Sequence, residues 1–169
     1  MANWCNARLI VTGPRDAVLA FAAAARDETK RVFRADMLVG EAAPLRRDRV
    51  ERVGDGVYRK RFTFQIRNDY GLQHFTRVSK RHRRLAFVLV FGDPNADCYG
   101  SALITRGEAQ EYDVTPRQAR AIWRKHKVTL EDEDEWRFWE ASWELMDLAE
   151  THWTLERSRA RPPRQRRLA

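Results

Sequence analysis

Hydrophobic and polar residues alternate most clearly between Tyr58 and Arg67. Phe62, Phe64 and Ile66 are separated by polar or charged residues, and this two-residue period predicts a β-strand with one face in water. In 85–91 every residue is apolar, which predicts a central strand that is covered on both faces. The sequence therefore predicts a sheet with at least one strand in its middle.

Other segments complete an antiparallel sheet that we expect to have four or five strands. They contain β-branched and apolar residues or are bounded by glycine and proline turns. The charged, turn-rich stretch 44–56 is predicted to form a long loop or a hairpin. The further candidate strands are 6–12, 31–39, 98–104 and 107–114.

Four segments have apolar residues at helical spacing. Helices that begin near Pro14 and near Tyr70 are predicted to pack on one face of the sheet. Thr115 and the proline after it predict the N-cap and first turn of a third helix. A fourth helix follows the acidic run 131–135 and is predicted to bury an apolar stripe over the central strand. The stripe consists of Trp136, Trp139, Trp143, Met146, Ala149 and Trp153.

Positive charge is concentrated at the C-terminal end. The chain has 32 basic and 24 acidic residues and a formal net charge of +8. Residues 157–169 contain six arginines and no acid, so the rest of the chain is nearly neutral, with 26 basic and 24 acidic residues. A basic tail of this kind indicates an acidic partner. The tail arginines are Arg157, Arg159, Arg161, Arg164, Arg166 and Arg167.

Two segments resemble a known family. The opening NWCNARLIVTGP and the later FTFQIRNDYGLQHFTRVSKRHRRLAFVLVFGDPNADCYGSALITRGE resemble the ferredoxin-like proteins named after the phage protein Api92, which are related to plasmid YubB proteins. The matching pieces are 1–26 and 58–112. Where the family has a threonine-alanine-tryptophan segment followed by prolines, this chain has 66–70, IRNDY. The resemblance implies a fold and a phage or plasmid origin, and supplies no catalytic residues.

These observations predict an α+β fold with a ferredoxin-like antiparallel sheet, two helices on one face and a C-terminal two-helix extension. We expect a ferredoxin-like domain at 1–114, a Trp-rich helical extension packed on the same core at 115–156, and a disordered Arg-rich tail at 157–169. No apolar run reaches the roughly 18 residues of a membrane span, and the start lacks a signal-peptide pattern. A cytoplasmic location is therefore predicted.

The helix near Tyr70 has a basic side that is a candidate nucleic-acid site. Arginine predominates there, and its guanidinium group suits phosphate. Because the Trp-rich helix is expected to cover the central strand, bases should not stack on the sheet as they do in RNA-recognition domains. Binding to DNA or RNA is then expected to use the tail arginines and this helix. The candidate helix residues are Arg77, Lys80, Arg81, Arg83 and Arg84.

The remaining chemistry-bearing residues suggest no catalytic, cofactor, metal or small-molecule site. The four histidines and two cysteines lack metal-ligand spacing. Trp4 and Cys5 are predicted to anchor the first strand, and Cys98 to be a second small buried side chain. Five acids at 131–135 suit the positive end of a helix dipole.

Two other functions remain open. One is a protein-binding inhibitor or accessory subunit that acts on a host defence or nucleic-acid-processing complex, which the phage or plasmid setting and six tryptophans would suit. The more remote one is a metal-independent ribonuclease that uses His74 and His82 as acid and base. Their eight-residue spacing puts them about 12 Å apart along a helix, which is unfavourable for gripping one phosphate.

Overall fold

A computed structural model describes residues 4–25, 30–34, 37–38, 50–67, 69–93, 98–128 and 135–159. Within these ranges the chain forms seven strands and four helices. In chain order the elements are β1 (Trp4–Gly13), α1 (Arg15–Ala24), β2 (Met37–Leu38), β3 (Glu51–Gly54), β4 (Val57–Arg67), α2 (Leu72–Arg81), β5 (Ala86–Asp93), β6 (Cys98–Thr105), β7 (Glu108–Asp113), α3 (Pro116–Lys125) and α4 (Glu135–Arg159).

All strand pairs in the sheet are antiparallel. Six strands follow one another in the order β2-β4-β1-β5-β6-β7, and β3 pairs with β4 on the same edge as β2. Strand β1 is central, because β4 and β5 both pair with it. Helix α1 connects β1 to the β2–β3 edge. Helix α2 connects β4 to β5, the two strands that flank β1.

Helices α1 and α2 cover one face of the sheet, as the sequence predicted. Val18 and Phe21 of α1 and Phe75 of α2 are buried with the alternating apolar residues of β4 and β1. The two-residue period of β4 thus places Phe62, Phe64 and Ile66 in this core and the intervening polar residues on the opposite face. Packing with the sheet, more than helix propensity, fixes these ten-residue helices.

Helices α3 and α4 cover part of the opposite face. Ile122 of α3 and Leu145 of α4 are buried against Val88 and Val90 of β5. Strand β5 is therefore covered on both faces, as its unbroken apolar run predicted. Helix α3 begins with a capping box, in which the Thr115 hydroxyl accepts from the Gln118 backbone N–H at 3.3 Å.

The prediction that the tryptophan stripe of α4 is largely buried holds only for its C-terminal half, Met146, Ala149 and Trp153. Trp153 is 7% exposed, but Trp143 is 38% and Trp136 71% exposed. Apart from Trp153, the buried side of α4 consists of small and aliphatic residues, two of which belong to the predicted stripe, and these residues allow the helix to approach the sheet closely. They are Ala141, Ser142, Leu145, Met146 and Ala149.

Two further expectations need correction. The sheet has more than four or five strands, since β2 and β3 both extend the edge of β4 and β7 extends the other edge. In the anchor predicted for β1, Cys5 is buried, but Trp4 is 39% exposed. The first residue of the strand alternates to the face that α1 and α2 do not cover.

At the C-terminal end, α4 runs to Arg159, three residues into the range that was expected to be disordered. Leu155 and Glu156 are good helix formers, and the first proline comes only at position 162. The rest of the tail and the acidic residues 131–134 lie outside the described residues. None of the helices described is long and apolar enough to cross a membrane.

Candidate nucleic-acid interface

The basic residues predicted on α2 cluster at its C-terminal end. Arg77, Lys80 and Arg81 lie on the helix, and Arg83 lies in the turn before β5; all four side chains are exposed. Arg77 Nη2 lies 3.5 Å from Gln73 Oε1, at the limit of a hydrogen bond. In the described part of the chain none of the four forms an ion pair.

Arg84, the fifth predicted residue, has a partner. Its two terminal nitrogens contact both carboxylate oxygens of Asp16 at the start of α1, at 2.7 and 3.2 Å. This bidentate pair joins the turn after α2 to the first turn of α1, and it holds the pKa of Asp16 below its usual range. Arg84 is therefore already engaged and is less available to a phosphate than its neighbours.

The turn between β6 and β7 adds a cation that the sequence pattern did not reveal. The Gly107 N–H donates to the Ser79 hydroxyl of α2 at 2.8 Å, and the Lys80 side chain lies so close over Gly107 that a Cβ there would be 2.4 Å from its Cγ. Arg106 precedes this glycine and is exposed. Only the fold brings Arg106 and α2 together, because they are far apart in sequence.

Two neighbouring left-handed residues form this turn. Arg106 has φ 52° and Gly107 φ 91°, as in the two-residue turns that suit a β-hairpin. An arginine is uncommon in this conformation, which favours glycine, asparagine or aspartate. We call Arg77, Lys80, Arg81, Arg83 and Arg106 the α2 patch.

The helix dipole explains only part of the α2 patch. Lys80 and Arg81 lie in the last turn of α2, where cations stabilise the negative helix end. Arg77 lies before the last turn, and Arg83 and Arg106 lie outside the helix. The helix dipole therefore does not stabilise three of the five charges.

A second group of exposed arginines lies on α3. Arg117, Arg120 and Arg124 are exposed and have no ion pair with any described residue. Their three- and four-residue spacing was visible in the sequence but was not singled out. Next to them, Glu144 of α4 accepts from Lys125 at 2.8 Å and from His126 at 2.7 Å, so this region is less uniformly positive than the α2 patch.

Half of the sheet face on the α4 side is open. Helix α4 packs on β5, β6 and β7, and within the described ranges no helix packs over β4 and part of β1 on this face. The expectation that the Trp-rich helix occupies the sheet surface therefore holds for β5 and fails for β4. The exposed β4 residues are Val57, Arg61, Thr63, Gln65 and Arg67, and Arg59 is half-buried between Val57 and Arg61.

The side of α4 that borders this open half is charged. Arg8 of β1 contacts Asp147 at 2.8 Å and Glu150, and Arg61 of β4 contacts the other oxygen of Glu150. Burial lowers the pKa of Arg8, but its hydrogen bonds to the two carboxylates outweigh this, and the pKa lies above its usual value. The four groups form an electrically neutral link between α4 and the sheet.

A cleft of about 380 Å³ lies at the same place. The Arg59–Glu51 ion pair, at 2.7 Å, forms part of its lining. Its lining is polar and contains carboxylates as well as guanidinium groups. The lining residues are Arg8, Glu51, Arg59, Lys60, Arg61, Thr63 and Asp147.

The histidines of the ribonuclease hypothesis have separate environments. His74 Nε2 lies 2.7 Å from the Val32 carbonyl oxygen, and the His82 ring packs edge-on against Phe21 at 5.1 Å. Burial, with a smaller contribution from Arg81, lowers the pKa of His82. No contact joins the two rings in the described part of the molecule, so the geometry gives no support to a shared acid–base site.

Neither cysteine is in a disulfide. Cys5 is buried, which raises the pKa of its thiol to about 12. Cys98 is half-buried, and its hydrogen bond with the Tyr70 hydroxyl raises the pKa of that tyrosine. Strand β5 separates the two cysteines, since Cys98 lies opposite Asp93 and Asn6 opposite Gly92. These thiols fit the packing role that the sequence predicted.

The described residues contain no group of three or more histidine, cysteine or acidic side chains that could hold a metal ion. Comparison of the chain with protein-family models, with curated proteins and with solved structures finds no match.

Proposed function

We propose that this protein is a non-catalytic nucleic-acid-associated binding protein, and that it contacts phosphates through the α2 patch and the arginine-rich tail. The observation that supports this most is the convergence of five exposed cations from α2, the turn after it and the β6–β7 turn. Like charges that lie close together repel one another and do not stabilise the fold, so an external anion is a better explanation of the cluster.

We further propose that the fold is ferredoxin-like. The support is the connectivity. Strands β1 and β4 are adjacent, α1 leads from β1 past β4 to β2, and α2 leads from β4 past β1 to β5. Both helices cover one face. Strands β6 and β7 and helices α3 and α4 are then additions. The resemblance to Api92-like and YubB-like proteins, and with it a phage or plasmid origin, remains a proposal on the sequence motifs alone.

A charge-reversal experiment tests the α2 patch. The triple variant Arg77→Glu, Arg81→Glu and Arg83→Glu should lose most of its affinity for a labelled DNA or RNA oligonucleotide in a fluorescence anisotropy titration. The matched control is Arg117→Glu, Arg120→Glu and Arg124→Glu on α3, which changes the net charge equally. Binding should survive in this control at a modestly reduced level.

The tail is tested separately by a chain that ends at Arg159, so that α4 keeps its described length. We expect weaker binding, because several positive charges are removed.

In the charge-reversal experiment, equal losses in the α2 and α3 variants would show that binding depends only on total charge and would contradict the assignment to the α2 patch.

A second candidate function is a protein-binding inhibitor or accessory subunit of a host or element-encoded complex. It is favoured by Trp136, whose 71% exposure is unusual for so large an apolar side chain. Tryptophan is also among the residues that contribute most to protein interfaces. Purification from the native host with and without nuclease distinguishes the candidates, because a stoichiometric protein partner would stay bound after nuclease treatment.

A further inference from the structure

The open half of the sheet carries an ordered ladder of side chains. Antiparallel pairing of β1 and β4 places Trp4 opposite Arg67, Asn6 opposite Gln65, and Arg8 opposite Thr63. Alternation puts these pairs on one face, which is the face that α1 and α2 do not cover. A tryptophan and a guanidinium group therefore lie side by side at one end of the open surface.

A second tryptophan borders the same surface. The Trp143 ring of α4 lies over Arg8, with the guanidinium carbon 5.9 Å from the ring centroid. Trp4 and Trp143 are each more than a third exposed, at 39% and 38%. Because Trp4 and Arg8 are four residues apart on one strand, their Cα atoms are separated by about 13 Å along β1, so the two tryptophans border different parts of the surface.

The surface between the rings is rich in hydrogen-bond donors and lacks an exposed apolar centre. Thr63, Gln65 and Arg67 are exposed there, and the Gln65 amide donates to Asn6 at 2.9 Å. The carboxylates of Asp147 and Glu150 are neutralised by Arg8 and Arg61, whereas Arg67 has no ion pair among the described residues. An obligate homodimer interface would favour an apolar core here, which the described residues of this surface do not provide.

We propose that the open half of this sheet binds single-stranded nucleic acid, with unpaired bases stacking on Trp4 and Trp143 and a phosphate contacting Arg67. This inference rests on the proposed function and names the form of nucleic acid that it prefers. Stacking of bases on aromatic rings beside a positive groove is the general mode of single-strand binding. A duplex keeps its bases stacked on one another and cannot offer their faces to these rings.

The site is distinct from the α2 patch. Helix α2 packs on the other face of the sheet, so the two surfaces can be altered independently. The α2 patch should bind any polyanion, whereas the open half of the sheet should distinguish single strands from duplexes.

The test is a pair of anisotropy titrations with a labelled oligothymidylate of about 15 nucleotides and a duplex of equal length. Trp4→Ala and Trp143→Ala should each weaken single-strand binding about tenfold and leave duplex binding unchanged. Trp4→Tyr, which keeps a stacking ring, should recover most of the affinity. Arg67→Gln should also weaken single-strand binding.

The matched control is Arg52→Ala, an exposed arginine of β3 that lies opposite Tyr58 on the other face; its single-strand affinity should equal that of the parent. If the Trp4, Trp143 and Arg67 variants all bind single strands like the parent, or lose duplex affinity equally, the inference is wrong while the proposed function stands. If the parent binds neither nucleic acid, both are wrong.

Discussion

Gly100 is required by the space around it and not by its backbone conformation. A Cβ at this position would lie 2.7 Å from Cζ of Phe91 and 2.8 Å from the carbonyl oxygen of Tyr112. Both neighbours are held in the sheet, one as a buried ring and one as backbone. The contact shows how closely β5, β6 and β7 are packed at this point.

We therefore predict that Gly100→Ala lowers the free energy of unfolding by about 1–3 kcal/mol, measured by urea denaturation. The matched control is Gly54→Ala, because the nearest atom to a Cβ there is Cβ of Val57 at 3.9 Å. The control should change stability much less. Equal effects of the two substitutions would show that the strands can move apart without cost.

Single residues of the site were only partly predictable from the sequence. The exposure of Arg77 and Arg81 followed from helical spacing, but the pairing of Arg84 with Asp16 depends on how α1 meets the turn after α2. Arg106 could not be assigned to the α2 patch, because its position depends on the hydrogen bond between Gly107 and Ser79. Long-range interactions of this kind leave no periodic signal in the sequence.

At the scale of elements, α4 was the least predictable. Its tryptophans recur at helical spacing, yet the side that packs on the sheet carries Ala141 and Leu145, which lie outside the predicted stripe, and leaves Trp136 exposed. Apolar residues occur around much of this helix, so spacing alone cannot identify the buried side. Strands β4 and β5 were predictable because their patterns, alternating and unbroken, correspond directly to one or two covered faces.

The orientation of α4 predicts different costs for its tryptophans. Trp153 is buried and its indole N–H donates to the Ser101 hydroxyl at 3.0 Å, so Trp153→Ala should cost about 3–5 kcal/mol of unfolding free energy. Replacing the more exposed Trp143 by alanine should lower the free energy of unfolding by only about 1 kcal/mol. Thermal or urea unfolding of both variants measures the difference, and a larger cost at Trp143 would contradict the orientation.

The end of α2 predicts a dependence of stability on pH. Burial and Arg81 lower the folded-state pKa of His82, so the native state binds fewer protons there than the unfolded state. The contribution of neutral His82 to the free energy of unfolding is then complete above its unfolded-state pKa of about 6.5, and it is lost as the pH falls below that value. His82→Gln should reduce the loss of stability between about pH 7.5 and pH 5.5, measured as urea midpoints. An unchanged loss would show that other groups cause it.

At the scale of the whole molecule, the layers determine which surfaces are available. Helices α1 and α2 cover one face, and α3 and α4 cover the β5 side of the other. Hydropathy patterns predicted a sheet with helices on it, but not that α4 would leave β4 open. Which strands a helix covers depends on the size of the side chains between them, and this information is spread over several elements.

The distribution of charge is also a property of the whole molecule. Since the chain without its tail has 26 basic and 24 acidic residues, attraction to a polyanion must come from the tail and from local clusters. The α2 patch is such a cluster, because its cations come from three elements and have no ion pair with any described residue. Association with nucleic acid through this patch is the central claim.

The salt dependence of binding tests that claim most directly. The logarithm of the association constant for a DNA duplex should fall linearly with the logarithm of salt concentration, by about 0.9 for each phosphate that the protein neutralises. The variant with glutamate at Arg77, Arg81 and Arg83 should have a slope that is shallower by about 0.9 for every phosphate that it no longer neutralises. The same slope in parent and variant, or no binding of the parent at moderate salt, would contradict the account.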